Sequence, residues 1–470
     1  MSARGLGRKG PLFFVMMMMM AGLWPLIVYG GPSYISDSSS YYRGGEVAWE
    51  RVSQLVWPKS APEVSVGGAA AQAGDPASKA VGVRSLVYSA AAFILAWPGT
   101  SMLLFMVAQT LVAALLMWWV LRATGATGWW PVAGVPLLLA LASSFPVFAT
   151  LATPDLWAGL LVLCLLLLTV FWDQLHKLER LFASAVLAFA VASHASHILL
   201  AIAALGVLAT LALVRRLIRP AWLSSLSLAR PAAALAAGLA ISFASGLVAF
   251  GEASPVPKRY PYALARAIED GPAKWYLEEN CPRLHYAVCE LFPAGIPSGV
   301  GDFLWAENGI AQRATPEQME RIRNEEPEIL SRAFAAYPWF QLQASTRNVA
   351  RQVAQITISP AVYQGRYLDP TGHMQTHPTR PTSLGWHEWV QGVAVIVSLI
   401  VFALCWRGLS TPLRLAVTAT VFLVITNDLI CAILSAPDTR YQTRMLWVAP
   451  VLAVICVSVR QRTGSRRVPT

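Results

Sequence analysis

Charged residues are scarce in this chain: Asp, Glu, Lys and Arg make up 13% of its 470 residues, about half the share that a soluble domain carries. So little charge does not solvate a globular surface of this length. The sequence marks of cofactor loops are missing too. There is no GxGxxG, no Walker motif and no CxxC pair, so dinucleotide, P-loop and dithiol chemistry built on those loops is not indicated. No internal repeat stands out, which argues against a solenoid and against a transporter made of inverted halves. Acid is rarer than base, with 25 Asp and Glu against 36 Lys and Arg, a net charge of +11.

What the chain has is apolar residue, 56% of the total, gathered into long runs with polar stretches between them. A membrane span needs roughly 17–25 mostly apolar residues, because the hydrocarbon core is about 30 Å thick. About ten runs are read as spans: Pro11–Tyr29, Thr100–Leu121, Pro131–Ala149, Leu156–Trp172, Leu181–Ser193, Ile198–Val214, Pro231–Phe250, Val390–Cys405, Leu413–Leu434 and Met445–Val459. The fold class expected is therefore an all-α polytopic membrane protein. The first run, with Met16–Met20, is long for a signal-peptide core and has no small-x-small site after it, so it reads as an uncleaved span.

With the N-terminus inside, the inner segments hold 16 of the 36 basic residues but only 2 of the 25 acids, Asp173 and Glu179. Arg215, Arg216 and Arg219, with Arg460, Arg462, Arg466 and Arg467, fit the excess of Lys and Arg in short cytoplasmic segments. Topology accounts for the basic balance, and no nucleic-acid partner is implied. The expected location is an inner or plasma membrane, with both termini cytoplasmic and the large loops periplasmic or extracellular.

Three parts follow. Residues 1–250 form an N-terminal membrane domain with a long first outer loop (31–99), 251–389 an outer loop domain, and 390–470 the C-terminal spans and a basic tail. In the first loop, Trp49, Val52, Leu55 and Val56 recur at helical spacing and would share one face, with Val47 outside it. SLVYSAAAFILAWPG is too short to span and reads as a helix along the membrane surface. The 251–389 segment reads as mainly helical, interrupted near Pro327 and Pro338. Cys164, Cys405, Cys431 and Cys456 lie in apolar runs and behave as small hydrophobes. Cys281 and Cys289 would face an oxidising compartment, where they are expected to close CPRLHYAVC as a disulfide; two independent thiols are the alternative.

Ionisable residues sort to one side. Asp37, Asp155, His194, His197, Lys258, Arg259, Asp438, Arg440 and Arg444 all fall at outer span ends. Several separated parts of the chain thus bring charge to one face, and a site there is the economical hypothesis. Asp37 in YISDSSSYY has the position of a general base, against the plainer reading of a polar turn. Asp155 opens a span, where simple N-terminal capping competes with a catalytic role. His194 and His197, three apart, would share a helix face, but two histidines are not a metal site, and no metal ligands are assigned. Arg440 and Arg444 would share a face suited to a lipid phosphate, with Lys258 and Arg259 assisting, unless they serve a salt bridge to Asp438 or interfacial anchoring. Asp428, beside Asn427 inside a span, is a secondary candidate.

This order of features resembles the GT-C superfamily of membrane glycosyltransferases, in particular the aminoarabinose transferases and protein O-mannosyltransferases. The likeness rests on an acid in the first outer loop (SDSSSYY), a surface helix after it (SLVYSAAAFILAWPG), a Pro-Asp pair opening the fourth span (TPDLWAGLLVL) and a late RY segment (DTRYQTRMLWVAP). It covers the membrane portion to about Phe250 and the last spans. The resemblance implies a sugar donor on a polyprenyl phosphate or diphosphate, a hydroxyl acceptor on a glycan, lipid or protein, and contact with membrane lipids. Asp37 would be the base, and Arg440 and Arg444 would stabilise the departing phosphate. The chain departs from the family in having Asp-Ser rather than two adjacent acids, so a divalent cation stays an open alternative. It also has SHASH where many relatives carry a basic residue. The competing expectations are a lipid or sugar transporter or flippase, and a non-catalytic cell-envelope assembly subunit.

Overall fold

Each long apolar run folds as helix in the computed structural model, which describes residues 9–56, 84–96, 101–256, 259–358, 365–379 and 385–465. In hydrocarbon a backbone must satisfy its own N–H and C=O groups, and a helix does so within one segment. In the first half these are α1 (Gly10–Val28), α2 (Ser36–Val56), α3 (Leu86–Ala96), α4 (Leu103–Ala123), α5 (Trp129–Ala142), α6 (Phe145–Ala149), α7 (Asp155–Thr169), α8 (Lys177–Ala192), α9 (Ala195–Leu217) and α10 (Ala229–Phe250). Then come α11 (Tyr262–Asp270), α12 (Pro272–Asn280), α13 (Pro316–Ala336), α14 (Pro338–Ala354), α15 (His387–Cys405), α16 (Thr411–Leu434), α17 (Thr439–Leu446) and α18 (Val448–Ser465). A two-stranded antiparallel hairpin, β1 (Arg366–Leu368) and β2 (Met374–Thr376), lies between α14 and α15.

Among the described residues, seven helical stretches are long and apolar enough to cross a membrane: α1, α4, α9, α10, α15 with the turn after it, α16, and α17 with α18. The protein is thus an all-α polytopic membrane protein. Three of the ten expected spans fold as shorter helices: α5, with α6 after a break at Ser143 and Ser144, then α7 and α8.

Burial orders the bundle. Every residue of α7 from Asp155 to Leu168 is buried, as expected of a helix apolar on all sides and placed at the centre. The outer helices α1, α9 and α15 instead leave Leu12, Ile27, Leu213, Val393 and Ile400 exposed, a surface that only hydrocarbon would cover. α7 meets the last helical stretch at Gly159, where an added Cβ would lie 2.2 Å from the Trp447 ring. Trp447 in turn donates from Nε1 to the Arg444 carbonyl at 2.9 Å. Close approach at a glycine therefore sets where α17 stands over the start of α7.

A single parallel bridge pairs Ser33 with Leu151. Ser33 N donates to Thr150 O at 2.8 Å and Ala152 N to Ser33 O at 2.9 Å. This rung ties the strand leading into α2 to the strand leading into α7, and so brings Asp37 and Asp155 to the same end of the bundle.

α2 buries Ser38, Tyr41 and Val47, while Trp49 points outward at 55% exposure. The reason is Gly45: α2 packs so closely on α3 that a Cβ there would come 2.3 Å from Phe93. Small residues allow that approach, and Val47 follows them inward.

Between α10 and α15 a polar helical layer has its own core of Leu264, Ile268, Phe303, Ile322 and Ile329. α13 runs through Pro327 without a break, contrary to the sequence expectation, and the chain breaks at Tyr337 before Pro338. Proline removes one backbone donor from a helix. Here Ile322 and Ile329 are buried on either side of it, and Glu326 anchors the turn by accepting from Leu264 N at 3.0 Å. A disulfide joins Cys281 and Cys289. The layer is bolted to the bundle end by Gln352, which exchanges two hydrogen bonds with the Asp438 backbone (2.9 and 3.0 Å).

Candidate functional site

Four separate parts of the chain meet where α2, α7, α9 and α17 begin. Asp37 lies in the first turn of α2 and holds two guanidiniums. Its Oδ1 accepts from Arg84 Nη2 at 2.7 Å, and its Oδ2 accepts from both Arg440 Nη1 and Nη2 at 3.1 Å. Arg84 also donates to the Tyr262 hydroxyl at 3.3 Å. Burial alone would push the Asp37 carboxyl up. The charges of Arg84 and Arg440 outweigh it and hold the carboxyl below its ordinary value. Burial works against the Arg84 guanidinium but the Asp37 charge outweighs it and raises it, and burial pushes the Tyr262 phenol up to about 12. Asp37 is therefore ionised at neutral pH.

Asp155, 3% exposed, stands in the first turn of its helix, after Pro154 at the N-cap. Its Oδ2 accepts from the Thr153 hydroxyl at 2.5 Å, and its Oδ1 faces Arg444 Nη1 at 3.4 Å. Arg440 Nε stands 3.9 Å from Oδ2, so Arg440 bridges the two carboxylates. Arg444 is fully buried. Its Nη2 donates to Ser196 Oγ at 2.8 Å and to Asn427 Oδ1 at 2.5 Å, while its Nε has no partner. Three guanidiniums thus touch two carboxylates. The excess of positive charge is what a bound anion would balance.

A cavity of about 170 Å³ opens beside this cluster, lined by the polar residues Arg84, His194, Ser196, Arg259, Tyr262 and Tyr441 and by the apolar residues Leu199, Ile430 and Leu434. A second, larger cavity of about 490 Å³ lies along the next turns of α2, between Ser39, Arg43, Glu46 and Glu50 and the hairpin residues Thr371 and His373. Asp37 is on the helix that lines the second cavity, and its partner Arg84 lines the first.

The other expected residues divide. His194 caps α9, accepting from Ser196 N at 3.2 Å, and faces the first cavity. His197 is fully buried, with Nδ1 on the Ala190 carbonyl at 2.8 Å; it packs behind the site and holds α9 to α8. Arg259 lines the cavity but is paired with Glu326 of the polar layer. Lys258 lies outside the described residues. Asp438 pairs with the Arg440 backbone N at 2.8 Å, not with its guanidinium. Asp428 is buried with Oδ2 unpartnered. Among the described residues no group of three or more His, Cys, Asp or Glu is arranged to hold a metal ion.

Sequence reading missed Arg84, Tyr262, Ser196 and Asn427 as members of the cluster. Arg84 carried a usable signal, a lone arginine immediately before the SLVYSAAAF surface helix. The others become visible only when the chain is folded. Compared with family models, with curated proteins and with solved structures, the chain matches none.

Proposed function

We propose that the chain is a membrane glycosyltransferase of the GT-C kind, moving a sugar from a polyprenyl-phosphate donor to a hydroxyl acceptor at the outer face of an inner or plasma membrane. On this reading the shorter helices α5–α6, α7 and α8 complete a bundle of about ten spans. The observation that carries it is the meeting of Asp37 with Arg84 and Arg440 beside a cavity lined by both arginine and apolar side chains. A phosphate on a lipid tail matches both.

The donor phosphate would sit against Arg84, Arg440 and, behind them, Arg444. The acceptor would approach along α2 from the larger cavity. Asp37 takes the proton of the acceptor hydroxyl as its oxygen bonds to the anomeric carbon. The bond from that carbon to the phosphate oxygen breaks, and its electron pair leaves with the phosphate, where the guanidiniums stabilise it. One displacement inverts the anomeric centre. Two arginines make Asp37 a weak base in the empty site, and a donor phosphate that draws them away would strengthen it. Asp155 keeps Arg440 and Arg444 aimed at the phosphate and is a positioning residue.

The test is turnover of radiolabelled polyprenyl-phosphate sugars by purified protein in lipid. Transfer or hydrolysis that disappears in a folded Asp37→Asn variant supports the reading. Donor binding without turnover in wild type, across a broad donor panel, overturns it. The unpartnered carboxyl oxygen of Asp428 deep in α16 favours a second reading, a proton-coupled lipid or sugar transporter. Flux across vesicles that Asp428→Asn abolishes and Asp37→Asn spares would establish that instead.

A further inference from the structure

The end of the bundle farthest from Asp37 gathers charge of its own. α7 runs away from the cluster for about 21 Å of helix rise, and just beyond it Trp172 packs against the core. α8 and α10 both begin beside Trp172 and run back together, so close that a Cβ on Gly238 would lie 2.7 Å from the Ala188 carbonyl. Each brings one arginine from near its start onto the Trp172 ring. The guanidinium carbon stands 4.5 Å from the ring centroid for Arg180 and 4.2 Å for Arg230. Arg180 Nε donates to the Trp172 carbonyl at 3.2 Å. Among the described residues its other N–H groups, and all those of the Arg230 guanidinium, have no protein acceptor. The acids beside them in sequence do not neutralise the pair. Asp173 is exposed and in no ion pair, and both oxygens of Glu179 are taken by Arg122 at 2.7 and 2.5 Å. Both arginines also stand at helix starts, where the macrodipole disfavours a cation. An aromatic face favours each cation singly but does not relieve their mutual repulsion. A bound anion would.

The bilayer side of the same spot is apolar and shallow. Leu178 and Leu181 flank Arg180 and are exposed. Along α10, Ala233, Ala237 and Ala240 follow Arg230 at helical spacing and are exposed too, until Ile241 and Phe243 stand out. From Arg230 to Ala240 the rise is about 15 Å, half the thickness of the hydrocarbon core.

We propose that Arg180 and Arg230, gathered on Trp172, bind the phosphodiester of an anionic phospholipid in the leaflet opposite the Asp37 cluster, with an acyl chain along the alanine face of α10. Charge complementarity chooses the occupant. A phosphodiester offers two oxygens to the free guanidinium edges, and a tryptophan at headgroup depth marks the level at which they meet it. A zwitterionic lipid would bring an ammonium that the same pair repels. The alanine face takes a chain one leaflet long, so the site fits a membrane lipid better than a soluble anion. It does not depend on the sugar-transfer reading and would serve a transporter equally.

Binding of radiolabelled dioleoyl phosphatidylglycerol and dioleoyl phosphatidylcholine to the purified chain, compared in one detergent, tests the site. Wild type is expected to prefer phosphatidylglycerol on the order of thirtyfold, the combined effect of two arginines at a lipid surface. Arg230→Gln removes an exposed side chain with no hydrogen bond to lose, and it should cut that preference about fivefold. Arg230→Lys keeps the charge and should keep most of it. Should Arg230→Gln lower the unfolding temperature of the lipid-free protein, Arg180→Gln decides in its place. Arg216→Gln is the control, an exposed arginine at the same end of the bundle that touches no aromatic ring, and it should leave the preference unchanged. An equal fall in Arg216→Gln would mean diffuse charge and overturn the site, as would a full preference in Arg230→Gln or none in wild type. Displacement of phosphatidylglycerol by an excess of inorganic phosphate would overturn the lipid assignment, and undisturbed binding supports it.

Discussion

Two buried ion-pair clusters in this chain look alike in composition and differ in construction. In the polar layer, Asp270 takes Arg266 from four residues away on the same helix (2.6 and 3.1 Å), Asn348 at 2.9 Å and Gln341 at 3.4 Å. Its charge is balanced locally and its oxygens are occupied. At the bundle end, Asp37 takes Arg440 from 403 residues away, the guanidiniums outnumber the carboxylates they touch, and a cavity adjoins them. A cluster that closes on itself holds a fold together. One that gathers distant parts of the chain and borders a cavity is the candidate site on which the proposed function rests.

Asp37→Asn should separate the two most sharply. General-base catalysis contributes about 10²–10⁴-fold, so transfer per folded molecule should fall by that factor, while the loss of the carboxylate between Arg84 and Arg440 also lowers the unfolding temperature. A variant that retains most of its rate would remove Asp37 from the chemistry and leave the bundle cluster structural after all.

Arg444→Met comes next in size. Removing one member of a buried pair leaves the other uncompensated, at a cost of about 3–5 kcal/mol. Here Asp155 would lose its nearer guanidinium and Asn427 and Ser196 their shared donor. Thermal unfolding in detergent should drop markedly, and transfer with it. Arg266→Met is the control in the other cluster. Asp270 keeps Asn348 and Gln341, so the loss should be about 1–3 kcal/mol of stability, with the transfer rate per folded molecule unchanged. Equal effects of Arg266→Met and Arg444→Met on transfer would erase the distinction.

How far this was legible in sequence depends on the range of the interactions. The helices could be read because apolar runs act locally, and the grouping of Asp37, Asp155, Arg440 and Arg444 at one end followed from the order of spans and the sorting of charge. Arg84 escaped because it follows the Gly/Ala-rich stretch, where no periodicity assigns a residue to a face. Which face of α2 is buried is set by Gly45 against Phe93, a contact between segments that no spacing within α2 reveals. Pro327 misled for a related reason: a local helix breaker was overruled by the burial of Ile322 and Ile329 around it and by the hold of Glu326 on α11.

The smallest effect probes the open cluster most finely. With Arg84 and Arg440 on it, the Asp37 carboxyl lies below its ordinary value of 3.8. Its ion pairs are therefore intact at and above that pH, and they are lost as pH falls through the lowered value. The acid limb of kcat/KM, which reports the free protein, should lie below the usual carboxylate range. In the donor complex the guanidiniums turn to the phosphate, whose negative charge also disfavours the carboxylate, and the carboxyl becomes easier to protonate. The donor is a phosphodiester, ionised throughout, and adds no limb of its own. The acid limb of kcat should thus sit higher than that of kcat/KM. Superimposed limbs would mean that Arg84 and Arg440 stay on Asp37 when the donor binds, which would reduce the bundle cluster to the same kind of closed, self-balanced pairing that Asp270 makes in the polar layer.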